Sequence, residues 1–201
     1  MAAPFQVRPL ATGAERAEAC ALVQDRIQDL AARGIHLPAA HTYAFRDPSA
    51  SAIGLYEDDR LRACLILNQQ PTPGPGPGPG GTAPCLEITH LYTDPQPDSE
   101  HWGRLVSLWA ADYAARRHDH TVRITATAGL LDPPEHTERL LTHALTLGWH
   151  PGGTSLNPHA QHQRALHLTR PAQPRAGLSA YIRCRVPLAL PPAAPRTGHA
   201  P

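Results

Sequence analysis

The sequence predicts a mixed α/β fold: a central sheet with helices on both faces. Three observations carry this. The chain opens on a strand-like run and an amphipathic helix. Several strand-like runs then follow one another closely from Ala52 to Thr93. Last, strands and helices alternate to about residue 170, as strand–helix–strand units require.

Phe5 to Leu10 alternates apolar and polar side chains, and Pro9 marks it as an edge strand because proline has no N–H for a ladder. Thr12 and Glu15 have the spacing of a capping box. Cys20, Val23, Ile27 and Leu30 follow at three- and four-residue intervals, which sets a helix from Gly13 to Arg33 with Gly34 just beyond its end. His36 to Asp47 is ambiguous, with room for a short helix after Pro38. Ala52 to Glu57 and Leu61 to Leu67 read as a hairpin turning at Asp58-Asp59-Arg60. Pro71 to Gly80 repeats Pro and Gly, has nothing apolar to bury, and reads as a solvated hairpin extension.

Leu86 to Thr93 is the strongest strand, expected to turn Leu86, Ile88, His90 and Tyr92 to one face and Glu87, Thr89, Leu91 and Thr93 to the other. After Asp94 to Pro97, a helix begins near Ser99, with Trp102, Leu105, Val106, Trp109 and Tyr113 on one stripe. Val122 to Thr127 is a further strand. Asp132, Pro133, Pro134 and Glu135 supply the cap of a helix that ends at Gly148. Ala165 to Thr169 is a strand. Ala180 to Val186 alternates once more and leaves two options, pairing between protomers as in a homodimer or completing the chain's own sheet. Disorder is expected after Pro191. The division is one domain over residues 1 to 170 and a Pro/Ala-rich extension over 171 to 201.

Composition narrows the function. The chain has 201 residues, is 41% apolar, and has a formal net charge of +1 with acids and bases interspersed. That is enough for one core, with no basic footprint for nucleic acid or an anionic membrane. No apolar run is long enough for a transmembrane helix, and the first ten residues lack the pattern of a signal peptide. The 4 cysteines have neither C-x-x-C nor zinc spacing, so reduced, buried thiols in a cytoplasmic protein are expected. All 18 basic residues are arginine, which excludes a catalytic lysine. With 23 prolines and abundant alanine this points to a GC-rich, bacterial coding genome. His118-Asp-His120 and His159-x-x-His162 each lack a third clustered ligand, so no metal is expected.

Leu86 to Pro95, continued by Trp102-Gly103-Arg104-Leu105, resembles the fourth strand and following helix of the GNAT superfamily of acyl-CoA-dependent N-acyltransferases. In that family the strand ends near Val-x-Pro, and a loop reading Arg/Gln-x-x-Gly-x-Gly/Ala leads into the helix. Thr93 falls at the Val, Pro95 at the Pro and Gly103 at the last Gly, while Leu147-Gly148-Trp149 is similar to the Leu-Gly-Phe that closes the family's later helix. The resemblance covers residues 5 to 170. It implies a mostly antiparallel mixed sheet and transfer of an acetyl or other acyl group from acetyl-CoA to an amine of a small molecule or protein. It also implies a binding stretch of Leu91, Tyr92, Thr93, Ser99, Glu100, His101, Trp102, Gly103 and Arg104.

The physical basis of such a stretch is general. A strand feeding a helix through a tight loop presents backbone N–H groups and the positive helix end to an anion. Here the loop has Asp98 at the Arg/Gln position, His101 at the middle Gly, and Glu100 besides. Two carboxylates there repel a pyrophosphate by about 1 kcal/mol each, while Arg104 is a natural phosphate partner. The family's usual base, a Glu on the fourth strand, corresponds to Glu87. Its usual acid, a Tyr, corresponds to Ala144, and the neighbouring His143 is the remaining proton donor. His36, His41 and Tyr43 fall where the family receives its acceptor. A second reading stays open, a non-catalytic domain of the same fold acting as a binding or subunit-interaction module.

Overall fold

A computed structural model describes residues 3–38, 40–75, 82–95, 99–126, 134–156 and 164–188. The order is β1 (Phe5–Pro9), α1 (Gly13–Ala32), α2 (Ala40–Ala44), β2 (Ser51–Glu57), β3 (Arg60–Pro75), β4 (Thr82–Thr93), α3 (Ser99–Arg116), β5 (Thr121–Ala126), α4 (Pro134–Thr146), β6 (His150–Leu156), β7 (Arg164–Pro171), and β8 (Ile182–Cys184) after a 3-10 turn at Leu178–Ala180. The strands form one sheet in the order β6-β7-β5-β4-β3-β2-β1-β8. Only β4 with β5 and β1 with β8 are parallel, so the sheet is mixed and mostly antiparallel.

Helix boundaries follow from local chemistry. Thr12 and Glu15 form the predicted capping box at the start of α1. At the end of α4 the N–H of Gly148 reaches Leu145 O and that of Trp149 reaches Ala144 O, a Schellman closure. It needs the positive φ of 79° that Gly148 adopts. The buried Arg170 guanidinium lies beside Gly148 and donates to Leu147 O, satisfying another carbonyl at the helix end.

Two apolar clusters lie on the two faces. The α3/α4 face buries Leu65, Leu67, Leu86 and Ile88 against Trp102, Trp109, Val106 and Ala144. The other face buries Cys64, Ile66 and Tyr92 against Ala19, Val23 and Phe45. This assignment corrects the expected faces of β4. The pairs Ile66↔His90 and Leu67↔Ile88 leave Thr89 as an extra residue. That bulge reverses the alternation, so Tyr92 joins the α1 cluster while Leu91 packs toward α3.

Further differences concern strands. The Pro-Gly segment is part of the ladder as far as Pro75, with Thr72↔Cys85 and Pro75↔Thr82 as register partners. Residues 76–81 lie outside the described residues. His150–Leu156, unassigned in the sequence reading, is the edge strand β6. The alternating run near residue 180 shortens to β8, which pairs with β1 of the same chain. Its approach crosses α3: Arg175 N donates to Asp112 Oδ1 at 2.8 Å, Tyr113 Oη to Pro187 O at 2.7 Å and Trp109 Nε1 to Cys184 Sγ at 3.4 Å. All four cysteines are unpaired. The expected disorder after Pro191 and the His159-x-x-His162 pair fall outside the described residues.

Candidate active site

The parallel ladder between β4 and β5 runs only from Cys85↔Thr121 to Ile88↔Ile124. β4 continues to Thr93 with no β5 partner, so the sheet opens beside Thr89 to Thr93. Asp94 N donates to Arg62 O on β3 at 2.8 Å. Strand alternation therefore turns the N–H groups of Leu91 and Thr93 the other way, toward the opening. Among the described residues neither N–H has a partner on that side. The Thr89 bulge stands at the point where the strands part.

The N-terminus of α3 lies beyond the end of β4. Glu100 is in its first turn, exposed, and Arg104 reaches it at 3.9 Å. The phosphate partner expected at Arg104 is thus weakly paired within its own helix. His101 is exposed, with its ring 5.9 Å from Phe5 and 4.9 Å from Trp102. Trp102 is buried beneath the Arg62 guanidinium, 5.2 Å from its ring centroid. Arg62 also pairs with Asp94 at 3.1 Å and with Glu57 at 3.0 Å, so the acid at the end of β4 is already compensated. Gly103 is buried, and its carbonyl accepts from Ser107 Oγ at 2.7 Å. Ser107 Oγ in turn accepts from Trp149 Nε1 at 2.9 Å. This relay ties the first turns of α3 to the end of α4. Ser99 opens α3, and the loop residue Asp98 lies outside the described residues.

A groove of about 460 Å³ runs between these helices, lined by Glu100, Glu138, Arg139, Thr142, His143 and Thr146. The structure thus brings Glu100 and His143 together. Ala144, at the family's Tyr position, is buried in the core.

Glu87 is elsewhere. It points to the face opposite Leu86 and Ile88, where Asn68 Nδ2 donates to it at 2.9 Å and Arg123 at 3.1 Å. Glu87 and His143 are therefore on opposite sides of the sheet. Beside Glu87, burial and the Arg123 charge lower the pKa of His167, which meets Thr125 Oγ1 at 3.1 Å.

Further along that face, α2 and β4 bring together His41, His90 and Tyr92, with Phe45 just after α2. Tyr92 Oη bonds His41 Nδ1. The His41 and His90 rings meet edge to face, with centroids 5.0 Å apart, and Phe45 lies 6.2 Å from His90. Burial, with His41 adding a smaller push, lowers the His90 pKa to about 4; burial also lowers that of His41 and raises that of the Tyr92 phenol. Of the other residues expected on the acceptor side, His36 and Tyr43 are exposed, and Arg46 stacks on the Tyr43 ring. The sequence reading missed Asn68, Arg123 and His90. Arg123 carried a signal, a charged residue alternating with Val122 and Ile124 in a strand. His90 carried none, because the bulge decides its face.

A mixed sheet whose central parallel pair parts midway, with a helix N-terminus beyond the opening, defines the fold of the GNAT acyltransferases, and the chain has that fold. Among solved structures it is similar to the aminoglycoside 6'-N-acetyltransferase of Enterococcus faecium (12% identity, TM-score 0.54, covering 84% of this chain and 98% of that one). It is also similar to the ribosomal-protein-S18-alanine N-acetyltransferase of Escherichia coli (11%, TM-score 0.53, 85% and 96%). A GNAT-family protein from Desulfovibrio desulfuricans matches at 9% identity and TM-score 0.54, over 84% and 99% of the two chains. No family profile and no curated protein sequence matches the chain.

Proposed function

We propose that the chain is an N-acyltransferase that takes acetyl-CoA, or a related acyl-CoA, into the opening between β4 and β5 and passes the acyl group to an amine. The observation that carries this is the parting of β4 from β5 after Ile88 and Ile124, with the N–H groups of Leu91 and Thr93 turned into the gap. The co-substrate supplies a thioester carbonyl carbon. The amine nitrogen attacks that carbon, the C–S bond breaks, and the electron pair leaves on sulfur. The two N–H groups stabilise charge on the carbonyl oxygen. Glu87, held by Asn68 and Arg123, takes the proton lost by the amine through water. His143, in the groove beside α3, returns a proton to the departing thiolate.

In this reading the acyl-CoA runs from the opening past the α3 N-terminus and along the groove lined by Glu100 and His143. Glu100 opposes the pyrophosphate, and His101, Trp102, Gly103, Arg104 and the Ser99 backbone form the rest of that approach. The unpaired cysteines fit a cytoplasmic protein, and no helix among the described residues is long and apolar enough to cross a membrane. The competing reading, a non-catalytic module on this fold, draws on the Arg104–Glu100 pair and on Ala144 in the core.

Calorimetry separates the two. Micromolar binding of acetyl-CoA, retained by desulfo-CoA and absent for ATP, is the expected result. No binding up to millimolar ligand overturns the enzyme reading and leaves the module.

A further inference from the structure

α4 divides its side chains sharply. Leu140, Leu141, Ala144 and, just past the helix end, Leu147 pack into the core. Arg139, Thr142, His143 and Thr146 recur at i, i+3, i+4 and i+7, and together they line the groove of about 460 Å³ that also holds Glu100. Thr146 Oγ1 donates back to His143 O at 2.7 Å, so its proton is used within the helix. The Arg139 guanidinium and the Thr142 hydroxyl have no hydrogen-bond or ion-pair partner among the described residues. The acids of the groove, Glu100 and Glu138, both stay outside ion-pair distance of Arg139, and Glu100 instead meets Arg104 of its own helix at 3.9 Å. The arginine expected to receive a phosphate on α3 thus leans on an acid, while the arginine on α4 does not. A planar guanidinium without an acid partner, on a groove wall that has a hydroxyl three residues on, matches the oxygens of a phosphate ester.

We infer that Arg139, with Thr142, takes a phosphate group of the acyl-CoA, so that α4 rather than the turn from Ser99 to Arg104 supplies the main cation for the co-substrate. The inference rests on the acyltransferase reading and refines its binding residues. It also accounts for how acids at Asp98 and Glu100 are compatible with an anionic co-substrate: the charge that holds the anion comes from the other helix. Acyl-CoA offers two such groups, the diphosphate and the ribose 3′-phosphate, and both present the same oxygens to a guanidinium.

The test is calorimetry of acetyl-CoA and of acetyl-3′-dephospho-CoA with the purified full chain, with Arg139→Gln and, separately, with Arg104→Gln. Arg139 is exposed, so the melting temperature of its variant stays at the parent value and certifies folding. The expected result is an acetyl-CoA Kd that rises about fivefold or more in Arg139→Gln, and by less in Arg104→Gln. If Arg139→Gln then binds the dephospho analogue as well as the parent does, the ribose phosphate is the group held; if it weakens both ligands alike, the diphosphate is. An unchanged acetyl-CoA Kd in Arg139→Gln, or a larger loss in Arg104→Gln, overturns this inference and leaves the acyltransferase reading in place. Absence of acetyl-CoA binding by the parent overturns that reading and this inference with it.

Discussion

Arg123 on β5 closes on Glu87 of β4 at 3.1 Å, and the two are register partners within the short stretch where these parallel strands pair. Both side chains are about 85% buried, 15% and 14% exposed, so the pair sits at the hinge of the opening rather than on its rim. Glu87→Gln keeps the Asn68 contact and strands the Arg123 charge. A loss of about 1–3 kcal/mol in urea unfolding is expected, accompanied by slower acyl transfer.

Ser107 is the middle of a relay that links α3 to α4. Ser107→Ala leaves the buried Trp149 Nε1 without its acceptor. The expected cost is about 1–3 kcal/mol, read as a lower melting temperature, and the Trp149 fluorescence shifts in the folded state.

The buried imidazole of His90 makes stability depend on pH. In the unfolded chain it takes a proton near its ordinary value of 6.5, and in the folded chain only near about 4. Between those values the unfolded state binds more protons, so stability falls as pH drops through that window. His41 from α2, which faces His90, is shifted in the same direction. Tyr92 and Phe45 bring no charge to the contact. Denaturant midpoints compared between neutral pH and pH about 5 should show a smaller acid loss in His90→Gln than in the parent.

Glu100 stands in the positive first turn of α3 and in the groove with His143. Glu100→Gln removes the repulsion of a phosphate there. Acetyl-CoA affinity should tighten about two- to fivefold by calorimetry, the size of one charge at an exposed helix end.

Much of this was legible because local chemistry and tertiary demand agree in most elements. The capping box at Thr12, the glycines closing α1 and α4, and the Trp102–Trp109 stripe each announce their element. The missed pieces share a cause: their neighbours make them what they are. His150–Leu156 has a proline and two glycines and no alternation, yet it pairs on one side only, so the N–H that Pro151 lacks is not needed across a second ladder. Pro71 is tolerated in β3 because the register skips from Asn68↔Glu87 to Thr72↔Cys85 around it. Nothing about Thr89 marks it as a bulge, so the face of His90 stayed hidden although its strand was plain. Glu87, His143 and Glu100 were visible as residue types; that the sheet separates the first from the other two was not.

The pairing of β8 with β1 has a consequence for how the chain is made. The strand synthesised first among the described elements receives its outer neighbour from the one synthesised last. Until Ile182 to Cys184 have left the ribosome, β1 presents an open row of donors and acceptors to whatever else is nearby. A nascent chain that has not yet released residue 182 would expose that docking edge to chaperones or to a sister chain.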